Sequence, residues 1–128
     1  MGCFYTGFDY KNRKNGYFKI GESEKDTPSA RLSNIRSTDS FQCLGWIHMI
    51  DETKAQRLYV EAYARMMMEK NPDLTHTQND HYLYQIKSKE EKYSQAQSYA
   101  DLAIGYAINA CNMAGIKWEE GTKTYKRS

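Results

Sequence analysis

Short apolar runs alternate with polar turns along the first half of the chain, a pattern typical of a small β-sheet. An aromatic run at 3–8 is followed by a polar stretch ending in Asn15-Gly16 and by a second apolar run at 17–21. Because Asn-Gly tolerates the positive φ of tight hairpin turns, these runs predict a β-hairpin. A third run at 41–50 is almost continuously apolar, which predicts a central strand buried on both faces.

Two helices are predicted around these strands. Thr27 can cap a helix and Pro28 suits its first position, so a short helix is expected at 27–37. From 51 to 70 the apolar residues recur with helical spacing, and this helix is expected to pack one face on the sheet. The residues of that face are Ala55, Leu58, Ala62 and Met66.

The last third of the chain predicts a short strand followed by a long helix. Aromatic residues at 82–86 suggest the strand, and a capping box at 88–91 starts a helix that ends near Gly115. An alanine stripe along this helix lets it approach a neighbour closely, and the same stripe could support a homodimer. Its members are Ala96, Ala100, Ala103, Ala107, Ala110 and Ala114.

These elements together predict one α/β (α+β) domain. A small three-stranded antiparallel sheet is expected to be flanked by helices, with an added long C-terminal helix. The chain has 128 residues, enough for a single hydrophobic core. The predicted domain spans 1–116, with a core at 2–86 and the long helix at 88–115, and a loose polar tail at 117–128.

Composition adds few constraints. A net charge of +2 does not by itself require a nucleic-acid partner, so such a partner must be argued from local patches. Three widely spaced cysteines indicate reduced, partly buried thiols rather than disulfides or a Cys-x-x-Cys metal site. The sequence contains no run long enough to cross a bilayer and no features of a signal peptide, so a cytoplasmic protein without a membrane partner is expected.

The order of motifs resembles a known nuclease family. The second predicted strand ends in Lys19-Ile20-Gly21, a capped helix then carries Arg31-Leu32, and a later helix carries Glu61. This arrangement is similar to the GIY-YIG endonucleases, and most of all to their small phage and bacterial branch, in which the second motif commonly reads Lys-Ile-Gly. Cys3-Phe4-Tyr5 matches the first motif at its tyrosine. The resemblance extends over about 2–86.

The resemblance implies a divalent-metal-dependent endonuclease that hydrolyses phosphodiester bonds in DNA or RNA, in a phage or mobile-element setting of defence or counter-defence. Tyr5 would orient or deprotonate the attacking water, and Arg31 would contact the scissile phosphate. Glu61 would ligate Mg²⁺ or Mn²⁺, hard ions that prefer oxygen ligands. Lys19 replaces the second tyrosine of the family, where its ammonium could bind the Tyr5 hydroxyl and lower its pKa.

The same residues have ordinary structural explanations. Tyr5 can be core packing, Lys19 and Arg31 can be solvated surface charges, and Glu61 can form a helix ion pair with Arg65. The alternative function is therefore a catalytically inactive GIY-YIG-like module that binds nucleic acid or a host protein.

Further candidates lie at the hairpin tip and in the later polar loop. Lys11, Arg13 and Lys14 could contact backbone phosphates, with Tyr17 available for base stacking. Two glutamates soon after Lys19 are expected to dilute this positive field. His81 is an additional candidate base, although a loop histidine is more often simply exposed.

Overall fold

The computed structural model describes residues 2–9, 15–24, 41–76, 81–85, 87–88 and 91–121. Within these residues the chain forms six strands and two helices. In chain order they are β1 (Gly2–Asp9), β2 (Asn15–Ser23), β3 (Phe41–Ile50), α1 (Lys54–Glu69), β4 (Thr75–His76), β5 (His81–Gln85), α2 (Lys92–Ala114) and β6 (Lys117–Glu120).

The described strands form one antiparallel sheet in the order β4-β5-β2-β1-β3-β6. The predicted three-stranded sheet is therefore wrong, although the α+β class is compatible with this architecture. The predicted antiparallel pair and central strand are present as β1, β2 and β3, and β5 lies where a short strand was expected. Asn15 and Gly16, expected to form the hairpin turn, are instead the first residues of β2 and pair with β5. The two outermost strands, β4 and β6, were not predicted.

Both unpredicted strands are short and, apart from Trp118 in β6, polar. β4 has two exposed residues and lies in a segment interpreted as a loop, and β6 begins the tail that was expected to be loose. Because an edge strand buries little, its side chains need not alternate between apolar and polar. Neighbouring strands determine these two elements, and the local sequence pattern does not reveal them.

Helix α1 is confirmed, but the prediction of its buried face is wrong. Thr53 and Gln56 form a capping box at its start, with N···O distances of 3.2 and 2.8 Å. The buried residues are Arg57, Val60, Ala64 and Met68. This face has the same spacing as the predicted one but is displaced by two residues, or about 200° around the helix.

Helix α1 is apolar on two sides, which explains the error. The side containing Leu58 and Met66 remains 44% and 47% exposed. The opposite side packs on the sheet. Arg57 can lie on that buried side because two carboxylates neutralise its charge, Glu22 of the sheet and Glu52 of the loop before the helix. A residue that appears unsuitable for a core is thus accommodated by its partners.

Helix α2 follows the prediction closely. The Ser88 hydroxyl accepts a hydrogen bond from the Glu91 amide at 3.2 Å, although the helix proper begins at Lys92. It ends at Gly115, whose φ of 71° is the left-handed conformation that glycine adopts without strain. Five stripe alanines are fully buried, so the stripe packs inside this chain and is not a dimerisation surface. They are Ala96, Ala100, Ala103, Ala107 and Ala110.

Several predicted features lie outside the described residues, including the helix at 27–37 with Arg31 and the hairpin-tip residues Lys11, Arg13 and Lys14. In the part of the chain that is described, neither helix combines the length and apolarity needed to cross a lipid bilayer. All three cysteines are free and fully buried, whereas partly buried thiols were expected.

Candidate functional site

The central sheet has two faces with different contents. On β1, Phe4 belongs to the main hydrophobic core, whereas Cys3 and Tyr5 belong to a separate cluster with Cys43. The two helices pack on the main core, so we call this side the helix face. The other side, with Cys3, Tyr5 and Cys43, is the far face. Successive residues of a strand point to opposite faces, and cross-strand partners share a face.

Tyr5 lies over a glycine of the neighbouring strand. Its cross-strand partner on β2 is Gly21, the last residue of the Lys-Ile-Gly motif. A Cβ atom at Gly21 would lie 2.7 Å from both Cζ and Oη of Tyr5. The tyrosine ring therefore occupies the space that a side chain at position 21 would need. This contact is a direct physical reason for the glycine in the motif.

Lys19 shares the far face with Tyr5. It lies opposite Gly7, and in this register Tyr5 and Lys19 are diagonal neighbours. Diagonal side chains on paired strands start about 7–8 Å apart, within reach of a long side chain. Both residues are nearly buried, with exposed fractions of 1% for Tyr5 and 9% for Lys19. The structure thus brings these two predicted site residues together.

Glu22 does not share the far face with Lys19, and the hairpin tip whose field it was expected to dilute lies outside the described residues. Glu22 is paired with Phe4 of the helix face and accepts a hydrogen bond from Arg57 Nε at 3.1 Å. Its carboxylate therefore neutralises a charge on the opposite side of the sheet. Glu24 is exposed.

Glu61 is not brought next to Tyr5. It lies on α1, whose buried side chains belong to the helix-face core, whereas Tyr5 points to the far face. The Glu61 carboxylate accepts a hydrogen bond from Arg65 Nη1 at 3.1 Å, and these side chains are 17% and 32% exposed. The ion pair considered as the structural alternative is present.

The donor set at Glu61 restricts how a divalent cation could bind. No group of three or more His, Cys, Asp or Glu side chains is positioned to hold a metal within the described ranges. Mg²⁺ can bind through one carboxylate together with water and phosphate oxygens, and a single Glu61 carboxylate fits that mode. Arg65 would compete with the cation for this carboxylate.

For Tyr17 and His81 the structure describes the position of the backbone in the sheet. Tyr17 lies on β2 opposite Leu83, and His81 lies on β5 opposite Lys19. The register thus places His81 beside Lys19 on the sheet. Arg31 and the basic hairpin-tip residues lie outside the described ranges.

Trp46 is a far-face residue that the sequence did not reveal. It is the cross-strand partner of Tyr5 on β3 and packs against the far-face cluster. The Gly121 amide donates to the Trp46 carbonyl at 2.8 Å, and a side chain at Gly121 would overlap the indole ring. Because β3 is apolar on both faces, its sequence does not indicate which residues point to the far face.

A buried ion cluster joins α1 to the sheet and was also missed. Arg57 donates from Nη1 to Glu52 at 2.7 Å and from Nε to Glu22 at 3.1 Å. The hydrogen bond to Glu52 raises the pKa of Arg57. Burial favours a higher pKa for Glu52, but hydrogen bonding and charge, chiefly from Arg57, hold that pKa below its usual value. The spacing of these residues in sequence does not predict the cluster.

Comparisons with models of known families, with curated proteins and with solved structures find no match for this chain.

Proposed function

We propose that this chain is a divalent-metal-dependent endonuclease domain that binds and hydrolyses a phosphodiester of DNA or RNA. The observation that carries the proposal is the placement of Tyr5 and Lys19 as diagonal neighbours on the far face. Gly7 and Gly21 occupy the other two corners of this four-residue group. The Tyr5 phenol and the Lys19 ammonium therefore share this part of the far face, and the two glycines place no side chain between them.

The chemistry uses both groups. Hydrolysis forms a bond between water oxygen and phosphorus and breaks the bond to the leaving alkoxide, which takes up a proton. The Tyr5 phenol orients the water, or as an ionised phenolate accepts its proton and becomes the neutral phenol. The Lys19 ammonium binds a phosphate oxygen and stabilises the phenolate form of Tyr5. Arg31 is proposed as a second phosphate contact. Glu61 would hold Mg²⁺ or Mn²⁺, an ion that supplies positive charge when bound. Because Glu61 lies across the sheet from Tyr5, this ion would contact the substrate away from the Tyr5 and Lys19 pair.

The first experiment measures cleavage of labelled single-stranded and double-stranded DNA and RNA with Mg²⁺, with Mn²⁺ and with chelator. We expect Tyr5→Phe and Lys19→Ala to lower the rate by about 10²–10⁴-fold, the usual contribution of a general base or its partner. Lys70→Ala is the matched control, because Lys70 is an exposed lysine at the end of α1. Full activity in both far-face variants would overturn the proposal.

A second pair of variants separates a metal-binding role of Glu61 from its ion pair. Metal ligation predicts that Glu61→Gln abolishes Mg²⁺-dependent cleavage whereas Arg65→Ala retains it. If Glu61 only pairs with Arg65, both substitutions should have the same small effect. Both variants lose the ion pair between residues 61 and 65, so the difference between them isolates the Glu61 carboxylate.

The second candidate is a binding module without catalysis, for nucleic acid or a host protein. It is favoured by the separation of Glu61 from Tyr5, which lie on opposite sides of the sheet, and by the pairing of Glu61 with Arg65. This candidate predicts that labelled oligonucleotides bind in a Lys19-dependent manner and are recovered intact. Metal-dependent products that disappear in Glu61→Gln would exclude it.

A further inference from the structure

The outward side of α1 is unusually apolar. The first and last residues of α1, Lys54 and Glu69, are charged and exposed. At every other exposed position of the helix the residue is uncharged and apolar or aromatic. We call these five residues the outer stripe: Ala55, Leu58, Tyr59, Ala62 and Met66. The three large ones, Leu58, Tyr59 and Met66, are 44%, 42% and 47% exposed.

The charged residues between the two ends of this helix are buried or partly buried. Arg57 is buried in its cluster with Glu22 and Glu52, and Glu61 and Arg65 pair with each other while partly buried. A surface helix normally presents charge outward and apolar residues inward. Because α1 is apolar on its outward side as well as on its buried side, the outer stripe is better described as a contact surface than as a solvated helix face.

The outer stripe is complementary to itself when two copies of α1 run antiparallel. Ala62 lies at its centre, with Tyr59 three residues before it and Met66 four residues after it. Lys54 and Glu69 lie at nearly equal distances on either side, so antiparallel pairing brings the positive start of one helix to the negative end of the other. A closed dimer with two-fold symmetry requires this kind of self-complementarity.

We propose that the outer stripe is the interface of a homodimer, in which two copies of α1 pack antiparallel about a two-fold axis through Ala62. The small Ala62 side chains allow close approach of the helices at the axis. Tyr59 of each copy contacts Met66 of the other, a favourable sulfur–aromatic pair, and Lys54 of each copy lies near Glu69 of the other. Each contact is made twice.

Sedimentation equilibrium tests the dimer. Wild type should sediment as a dimer, and Leu58→Glu and Met66→Glu should each shift it to monomer by burying like charges at the interface. Met113→Glu is the matched control, since Met113 is an apolar residue of α2 that is 59% exposed and lies outside the stripe; it should remain dimeric. A monomeric wild type, or a dimer that persists in both stripe variants, would overturn the proposal.

Cysteine cross-linking tests the antiparallel geometry. The native thiols are buried, so an added surface cysteine can be followed alone. Ala62→Cys should form an intermolecular disulfide under mild oxidation, because residues at the axis meet themselves. Ala55→Cys should not, because two copies of residue 55 lie about 21 Å apart in an antiparallel pair. Equal cross-linking of both variants would indicate parallel helices and reject this arrangement.

Discussion

The helix face and the far face of the sheet are both buried, but they bury different chemistry. The helix face is a continuous apolar core with one ion cluster at its edge, in which each charge has an opposite partner. The far face contains Cys3, Tyr5, Cys43 and the nearly buried Lys19. Packing alone would favour apolar residues at all these positions, because burying an ammonium or a phenol is costly. The far face therefore contains the polar groups on which the proposed function rests.

The largest effect is expected when the helix-face ion cluster is broken. Arg57→Ala leaves the Glu52 carboxylate, whose side chain is 0% exposed, without its main partner. We expect the free energy of unfolding in denaturant to fall by about 3–5 kcal/mol. Arg65→Ala is the control, because its partly exposed pair should contribute less than about 1 kcal/mol. Equal losses in the two variants would show that the cluster is not a core element.

On the far face, Gly21→Ala tests the contact between the glycine and the Tyr5 ring. The added methyl group overlaps the ring, so we expect a loss of about 1–3 kcal/mol in stability. The loss should shrink in a Tyr5→Ala background, because the clash is then removed. Gly105→Ala in α2 meets no atom within 4 Å and should instead stabilise by about 0.5–1 kcal/mol. Additive effects at positions 5 and 21 would contradict the contact.

The ion cluster should also give the helix face a distinct pH dependence. The lowered pKa of Glu52 means that the folded protein binds its proton less readily than the unfolded chain does. The stabilisation is therefore fully present above the pKa of an unfolded glutamate, about 4.3, and is lost as pH falls through the lower folded value. The stability difference between wild type and Glu52→Gln should shrink over this acidic range. If the stability difference between the two proteins instead grows on acidification, folding raises the pKa of Glu52 and the prediction is wrong.

The smallest effect is expected at the thiols. Burial raises the pKa of Cys111 on the helix side to about 11, so at pH 7 about one thiol in 10⁴ is ionised. Maleimide or disulfide reagents should leave native Cys111 unmodified, and Cys111→Ala should not change the labelling of the folded protein. Any native labelling should therefore come from Cys3 or Cys43 on the far face. Peptide mapping that shows rapid modification of the Cys111 thiol in the folded protein would contradict this prediction.

Local patterns were sufficient for the elements with strong signals. The strands β1, β2 and β3, the helix α1 and the end of α2 at Gly115 were recognised because apolar periodicity and a left-handed glycine act within a few residues. Asn15-Gly16 was misassigned to a turn, because its pairing with β5 is a long-range contact. The edge strands β4 and β6 were not predicted because two to four mostly polar residues become a strand only when a neighbour pairs with them. The placement of Tyr5 and Lys19 on one face follows from strand alternation combined with the observed register.

The sequence by itself determined where most strands and helices form, because the preferences involved are local. The tertiary structure decided which of two apolar sides of α1 is buried, since Glu22 and Glu52 neutralise Arg57 only after the chain has folded. It also separated Glu61 from Tyr5, because the two sides of a sheet are distinguished only when strands pair and helices pack. Residue spacing alone carries no information on these long-range choices.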